Sequence, residues 1–424
     1  MLKAMLRTSQ ERLTTRHHAF DGWLLLATLS LMLIGWVMVT SASTEIAANL
    51  TGNPYYFSIR HGIFVLAAIG AGLVAVCLPL DWWRQKGPLM LIGALLLLFI
   101  VLIVGREING SRRWIPLGII NIQASEVAKL CLIVYVAGYL ERYLPEVRRS
   151  WSAFMRPLAV MALIGFLLIL EPDYGAVVVL TGCIMGMLLL SGAPLWRFLL
   201  ILAIVGSGAV MLAVAEPYRL QRITSFANPW ADQYNTGYQL TQALIAFGRG
   251  HWFGLGLGNS IQKLFYLPEA HTDFVFAILA EELGLFGAVA VILLFALLVF
   301  RAFRIGRKAE LAGIPFAAYL CYGIALVIGA QAFINISVSA GMLPTKGLTL
   351  PLLSYGGSSL IVSGVMMAIL FRVDAEVRRM GRQLPPDVES GSNLNSGPDL
   401  NASSEAEIRP GVRPAHGRVE PDHE

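Results

Sequence analysis

Residues 266 to 284 read Tyr266-Leu-Pro-Glu-Ala-His271-Thr-Asp273-Phe-Val-Phe-Ala-Ile-Leu-Ala-Glu281-Glu282-Leu-Gly284. The segment closes a long polar loop and opens an apolar run that continues to residue 300, long enough to cross a bilayer as a helix. It sets His271, Thr272 and Asp273 at a membrane boundary and Glu281 and Glu282 deeper, inside the run. Carboxylates at and below a bilayer surface are costly, so they are functional candidates by default.

Apolar runs of this kind recur on both sides. The 424-residue chain is 56% hydrophobic and 14% charged, with a mean hydropathy of +0.65, a composition foreign to soluble domains. About ten stretches suit a helical crossing: 22–40, 58–78, 87–105, 125–140, 157–171, 175–191, 197–215, 274–300, 311–340 and 351–371. The ninth is long enough to tilt or to break near its end. The fold class expected is an all-α polytopic membrane protein. With a cytoplasmic N-terminus, the inner loops hold most of the Lys and Arg, and the short outer segments hold only Arg60, Arg106, Arg112, Arg113 and Lys346. That bias places both termini in the cytoplasm. The net charge of +5 then reports topology, and no nucleic-acid partner is expected. Residues 1–20 are too polar, and too long before the first span, for a cleaved signal, so that span is expected to be retained. The four cysteines, Cys77, Cys131, Cys183 and Cys321, are scattered in apolar spans and read as small packing residues.

The organisation expected is a cytoplasmic tail over 1–20, a membrane domain over 21–375, and a basic stop with a tail over 376–424. From Gln383 the tail is rich in Pro, Ser, Asn, Gly and Glu and is expected to be disordered. No strong internal repeat is evident. Two outer loops are long enough to hold structure. Residues 106–124 put Trp114 and Ile115 beside Arg112 and Arg113, the pattern of a segment lying among headgroups. Residues 216–272 form a large periplasmic loop, far longer than a connector, with an amphipathic stretch from Gly237 to Phe247 and a Gly-rich run to Gly258.

Several residues can carry chemistry, each with a plainer alternative. Asp273 reads either as a first-turn carboxylate of a helix capped by Thr272, or as a base at the membrane edge with its pKa raised by burial. His271 tunes it or is an exposed loop residue. Glu281 and Glu282 pair with cations of a neighbouring helix or form a proton path. Glu171-Pro-Asp173-Tyr-Gly175 is a polar hairpin tip, or it aims Glu171 and Asp173 into the cavity of Asp273. Leu343-Pro-Thr-Lys346-Gly-Leu-Thr-Leu-Pro-Leu-Leu-Ser354-Tyr-Gly-Gly-Ser-Ser359 is an ordinary loop, or a helix-breaking segment that lines a cavity and offers Lys346 to a phosphate. Gly254-Leu-Gly-Leu-Gly258 is a flexible turn or a phosphate nest.

Five pieces together resemble the SEDS family of bacterial envelope proteins: Asn109-Gly-Ser-Arg112-Arg113-Trp114-Ile115, Ile122-Gln-Ala-Ser-Glu126-Val-Ala-Lys129, Glu171-Pro-Asp173-Tyr-Gly175, His271-Thr-Asp273-Phe274 with Glu281-Glu-Leu-Gly284, and Pro344 to Ser359. They come in family order, and the last two are highly specific. Met342-Leu-Pro-Thr-Lys-Gly-Leu-Thr349 is similar to the cell-division branch rather than the elongation branch. Ala124 departs from the family's usual Pro. The resemblance implies a ten-helix fold and a peptidoglycan glycosyltransferase acting on lipid II, at the division septum of the inner membrane. It implies a catalytic carboxylate at Asp273. The substrate-binding residues it suggests, with the outer cations, are Arg112, Arg113, Trp114, Glu126, Lys129, Glu171, Asp173, Arg249, His271, Lys346 and Ser354. A class B penicillin-binding transpeptidase and other divisome membrane proteins are the implied partners. No cofactor is firmly implied, although a divalent Mg or Mn ion suits a pyrophosphate leaving group. The rival readings are a lipid II flippase and a non-catalytic scaffold.

Overall fold

The computed structural model describes residues 20–108, 111–117, 120–215, 228–235, 237–344 and 347–383. Eleven α-helices and one small sheet are present among the described residues. Helix α1 (Gly22–Thr51) starts where the Asp21 carboxylate accepts from the amides of Trp23 and Leu24. It stops at Gly52, whose φ of 72° lets its N–H reach the carbonyl of Ala48, a glycine-terminated end. Helices α2 (Tyr56–Cys77) and α3 (Leu80–Val104) follow. The chain then forms an antiparallel sheet of β1 (Arg106–Ile108), β2 (Ser111–Leu117) and β3 (Ile120–Gln123). Trp114 in the central strand pairs with Arg106 on one side and Gln123 on the other.

Helices α4 (Ala124–Arg149), α5 (Trp151–Leu170), α6 (Tyr174–Leu190) and α7 (Leu195–Ala215) come next. A 3₁₀ turn (Pro229–Asp232) precedes the short amphipathic helix α8 (Tyr238–Gly250). The long helices α9 (Val275–Leu311) and α10 (Pro315–Ser339) and the last helix α11 (Gly357–Gln383) complete the bundle.

Helices α4 and α10 sit inside. Nearly every residue from Ala124 to Leu140 is buried, and so is most of α10. α4 packs on α3, α5 and α10, while α9 packs on α1, α8 and α10. The outer helices turn large apolar side chains outward, among them Leu66, Leu73 and Val74 of α2 and Leu96, Phe99 and Ile103 of α3. In water such a surface is anomalous; facing hydrocarbon it is what a spanning helix needs. Six of the described helices, α1, α2, α3, α5, α9 and α10, are long and apolar enough to cross a membrane by length and composition, and α6 and part of α7 are shorter apolar helices. The protein is a multi-pass helical membrane protein.

The structure corrects the sequence reading at four places. The stretch expected to lie flat holds the three strands Arg106–Ile108, Ser111–Leu117 and Ile120–Gln123, so the class is not purely α: the ladder satisfies backbone groups that a segment lying flat leaves open. The apolar run from 274 continues as helix to Leu311, and Pro315 then starts α10, a position where its missing N–H costs nothing. The last helix begins at Gly357 rather than at 351, because residues 340–344 and 347–356 are irregular. Finally, α9 is broken at Gly284 (φ 69°, ψ −167°). The tail beyond residue 383 lies outside the described residues.

Candidate functional site

A cavity of about 600 Å³ opens at the end of the bundle that carries the sheet. Phe57, Arg60 and Phe64 enter it from α2, Ser111, Arg113 and Trp114 from β2, and Gln123, Ser125 and Glu126 from the β3–α4 junction. Asp173 and Ala176 come from the start of α6, and Glu269, Thr272 and Asp273 from the segment before α9. The irregular run before α11 supplies Gly347, Leu348, Thr349, Tyr355 and Gly356, and the first turn of α11 supplies Gly357, Ser358 and Ser359. The sequence expectation of a helix-breaking, cavity-lining segment there agrees with this placement.

Single polar residues tie these segments together. Asn335, buried on α10, donates through Nδ2 to the carbonyls of Asp273 (2.9 Å) and Leu348 (2.6 Å), fixing two loops at once. The amide of Tyr355 donates to the His271 carbonyl at 3.0 Å. Ser358 Oγ donates to Asn121 O (2.6 Å) and accepts from the Gln123 amide (3.0 Å), joining the sheet to α11. Arg113 Nε donates to Glu171 O at 3.2 Å, and its Nη2 donates to Pro172 O. One guanidinium thus clamps the α5–α6 turn to the sheet. Lys129, fully buried, donates to Glu126 Oε1 (2.7 Å) and Gln331 Oε1 (2.8 Å), and Gln331 donates in turn to Thr349 O (3.1 Å). These two bonds fix the position of the Lys129 amino group.

Asp273 is the carboxylate at the centre of this arrangement. Burial, with the negative charge of Glu269 and of Asp173 beside it, pushes its pKa up to about 7 against the opposing pull of Arg113. A Cβ on Gly347 would stand 3.3 Å from Asp273 Oδ2 and 3.8 Å from Arg113 Nη1, so a glycine leaves room there for a substrate atom. Glu171 is fully buried with no hydrogen-bond partner for either oxygen. Burial and the neighbouring Asp173 raise its pKa to about 8, which keeps it neutral at physiological pH. Asp173 caps α6 by accepting from the Ala176 amide. His271 is packed between Phe57 and Tyr355, with ring centroids 4.8 and 5.5 Å away, and burial lowers its pKa. Its ring is a neutral packing element.

Of the residues singled out from sequence, the structure gathers Asp273, Arg113, Trp114, Glu126 and Asp173 on the cavity wall, with Lys129, Glu171 and His271 just behind it. Three are placed elsewhere. Arg112 is exposed and faces Glu107 at 3.5 Å, because alternation along β2 turns neighbouring side chains to opposite faces. Arg249 lies 3.5 Å from Glu281. Ser354 is buried and accepts from the Leu350 amide. Lys346 lies outside the described residues. Thr272 does not cap the following helix: its hydroxyl donates to Glu269, and α9 begins at Val275 without a side-chain cap. Gly254 to Gly258 is no phosphate nest, since the amides of Gly254, Leu255 and Gly256 are bonded to the carbonyls of Gly250, Glu281 and Glu282. Glu281 and Glu282 take the paired alternative, against Arg249 and Lys263.

Sequence reasoning missed Arg60, Glu269, Gln331, Asn335 and Tyr355 as site residues. Arg60 and Glu269 were legible as charges at span ends. Asn335 and Gln331 carried a fainter signal, two amides one helical turn apart in an otherwise apolar span.

A family model for FtsW, RodA and SpoVE, described as cell cycle protein, matches residues 22–379. The chain is 70% identical over 379 residues to a probable peptidoglycan glycosyltransferase FtsW of Halomonas elongata, covering 89% of this chain and 96% of that one. It is 55% identical over 364 residues to the protein of the same name from Hahella chejuensis, covering 85% and 92%. Among solved structures it is similar to a chain of a peptidoglycan synthase complex described as coordinating polymerization and crosslinking (TM-score 0.70, 28% identity, 84% of this chain and 98% of that one). It is also similar to the rod shape determining protein RodA of Thermus thermophilus (TM-score 0.62, 27% identity, 84% and 97%).

Proposed function

The chain belongs to the FtsW/RodA/SpoVE family, and from that premise we propose that its cavity is the polymerising site of a peptidoglycan glycosyltransferase. The observation that carries the reading is Asp273, a half-buried carboxylate with a pKa raised to about 7 that shares a cavity with Arg113 and Arg60. A base with a pKa near ambient pH is best matched to proton abstraction.

The substrate is lipid II, a disaccharide-pentapeptide on undecaprenyl pyrophosphate. Asp273 takes the proton from the 4-hydroxyl of the incoming sugar. That oxygen bonds to the anomeric carbon of the growing chain as the bond from that carbon to the pyrophosphate breaks, and the lipid pyrophosphate leaves. Charge builds on the leaving oxygen, where the guanidinium groups of Arg113 and Arg60 are preorganised to meet it. Trp114 offers a ring face to a sugar, and Glu126 is held by Lys129 at the cavity wall. Among the described residues no three of His, Cys, Asp or Glu are grouped to hold a metal ion by themselves. A divalent Mg or Mn ion would arrive on the pyrophosphate and neutralise part of its charge.

In this proposal the chain crosses the membrane ten times with both termini cytoplasmic, so that the cavity lies at the periplasmic face, where septal glycan is made. The complex to which this chain is similar couples polymerization to crosslinking, which supports a class B penicillin-binding transpeptidase as partner, with other divisome membrane proteins around it. The test is polymer formation from lipid II by the purified protein in detergent. Detergent abolishes sidedness, so a flippase or scaffold yields no polymer, whereas the glycosyltransferase yields glycan strands on its own or with its transpeptidase.

A further inference from the structure

The chain break at Gly284 is met by a second element. In an unbroken helix the amides of Leu285 and Phe286 donate to the carbonyls of Glu281 and Glu282. Here they donate instead to His251 O (2.9 Å) and Trp252 O (3.2 Å), while the freed carbonyls of Glu281 and Glu282 accept from the amides of Leu255 and Gly256, both at 3.0 Å. Four bonds to a separate segment replace two helical ones, so the break leaves none of these groups open, the condition for irregular backbone at membrane depth. The fit is close. A Cβ at Gly254 would stand 2.1 Å from Glu282 O, and one at Gly284 would stand 2.3 Å from the Gly254 nitrogen.

The side chains at the break fasten the next stretch of the same segment. Glu281 accepts from the Ser260 hydroxyl and from the amides of Ile261 (3.2 Å) and Gln262 (3.3 Å). Glu282 accepts from Ser41 of α1 (2.6 Å) and from Lys263 Nζ (3.0 Å). All three protons of Lys263 are placed, on Glu282, on Ser41 (3.0 Å) and on Gly258 O (2.7 Å). Glu281 and Glu282 are wholly buried, and Lys263 nearly so. The fastened stretch ends ten residues before Asp273.

We infer that Lys263 and Glu282, with Ser41 and Ser260, form a latch that positions the segment carrying Asp273 against the cavity. This rests on the reading of Asp273 as the base, and assigns the charges inside the span to positioning rather than to proton transfer. Among the described residues, the charged groups facing Asp273 are Arg113 from β2, Asp173 from the start of α6 and Glu269 from its own segment. Releasing the latch lets Asp273 rotate away from Arg113 and into water.

The test compares Lys263→Met, Lys263→Arg and the double variant Lys263→Met/Glu282→Gln. The single loss leaves a carboxylate buried without its cation and can fail to fold; the double variant removes both charges and keeps the protein measurable. Each is assayed in detergent for kcat and KM, for the pH dependence of kcat, and for hydrogen exchange of the 257–274 amides. The latch requires that the folded double variant lose between about ten- and a hundredfold in kcat with little change in KM, the scale of a catalytic group displaced by about an ångström. It also requires that exchange quicken in that segment and that the acidic limb move to lower pH as Asp273 gains water, with Lys263→Arg restoring all three. A double variant with wild-type kcat, pH profile and exchange overturns the inference. Asp273→Asn, run beside them, separates the two levels. If it stays active the base reading fails, while the exchange data still judge the latch.

Discussion

Asp273 draws its chemistry from where it is held. Asn335 pins its carbonyl, Tyr355 pins that of His271, and its carboxylate is left to face the cavity. Asp273→Asn keeps the shape and removes the base, so activity is expected to fall by about a hundredfold or more, measured as polymer per folded molecule. The raised pKa has two further consequences. The base works deprotonated, so the rate is expected to rise with pH through about 7. The native state also holds this proton more tightly than the unfolded chain, whose carboxyl titrates near 3.8. Asp273 therefore favours folding most below that value and least above 7. Asp273→Asn is expected to unfold at a higher temperature than wild type at pH 8, with the gap closing toward pH 4, in a thermal unfolding series. Gly347→Ala, which sets a methyl 3.3 Å from Asp273 Oδ2, is expected to lower activity several-fold with an unchanged unfolding temperature.

The elements show where sequence was informative and where it was not. Apolar run length identified the long helices, because lipid-facing and core-facing positions are both apolar and the length of the run alone decides. The sheet escaped notice because the strands are short, β1 and β2 carry charge, and the ladder that holds them comes from pairing between strands. The break in α9 was equally hidden. Gly284 in a helical run is ordinary, and only its contact with Gly254 and His251 from another segment makes the departure favourable. Gly284→Ala needs a left-handed conformation at a β-carbon and meets the Gly254 backbone. It is expected to reduce the yield of folded protein, read by size-exclusion of the detergent-solubilised protein. Removing residues after 383, a stretch poor in large apolar side chains, is expected to leave polymerisation in detergent intact.

At the scale of the molecule, the site is a joint product of distant segments: α2, the sheet, the α5–α6 turn, the segment before α9 and the run before α11 all reach one cavity. The sequence listed many of these residues as separate motifs. Their convergence came from helix packing and from buried amides such as Asn335 and Gln331, which no local pattern marks as bridges. Outer-face cations could be counted from sequence but not aimed: Arg112 and Arg249 were grouped with Arg113, which lines the cavity, although Arg112 faces Glu107 and Arg249 faces Glu281, while Arg60, which also lines it, was passed over. The central claim is that this cavity polymerises lipid II with Asp273 as base. Its most direct measurement is the initial rate of glycan formation from lipid II by purified wild-type protein and by folded Asp273→Asn, side by side in detergent across pH 5 to 9. The expected result is polymer from wild type with an acidic limb near pH 7, and none above background from the variant at any pH. Polymer made by Asp273→Asn at the wild-type rate, with the same pH profile, contradicts the claim.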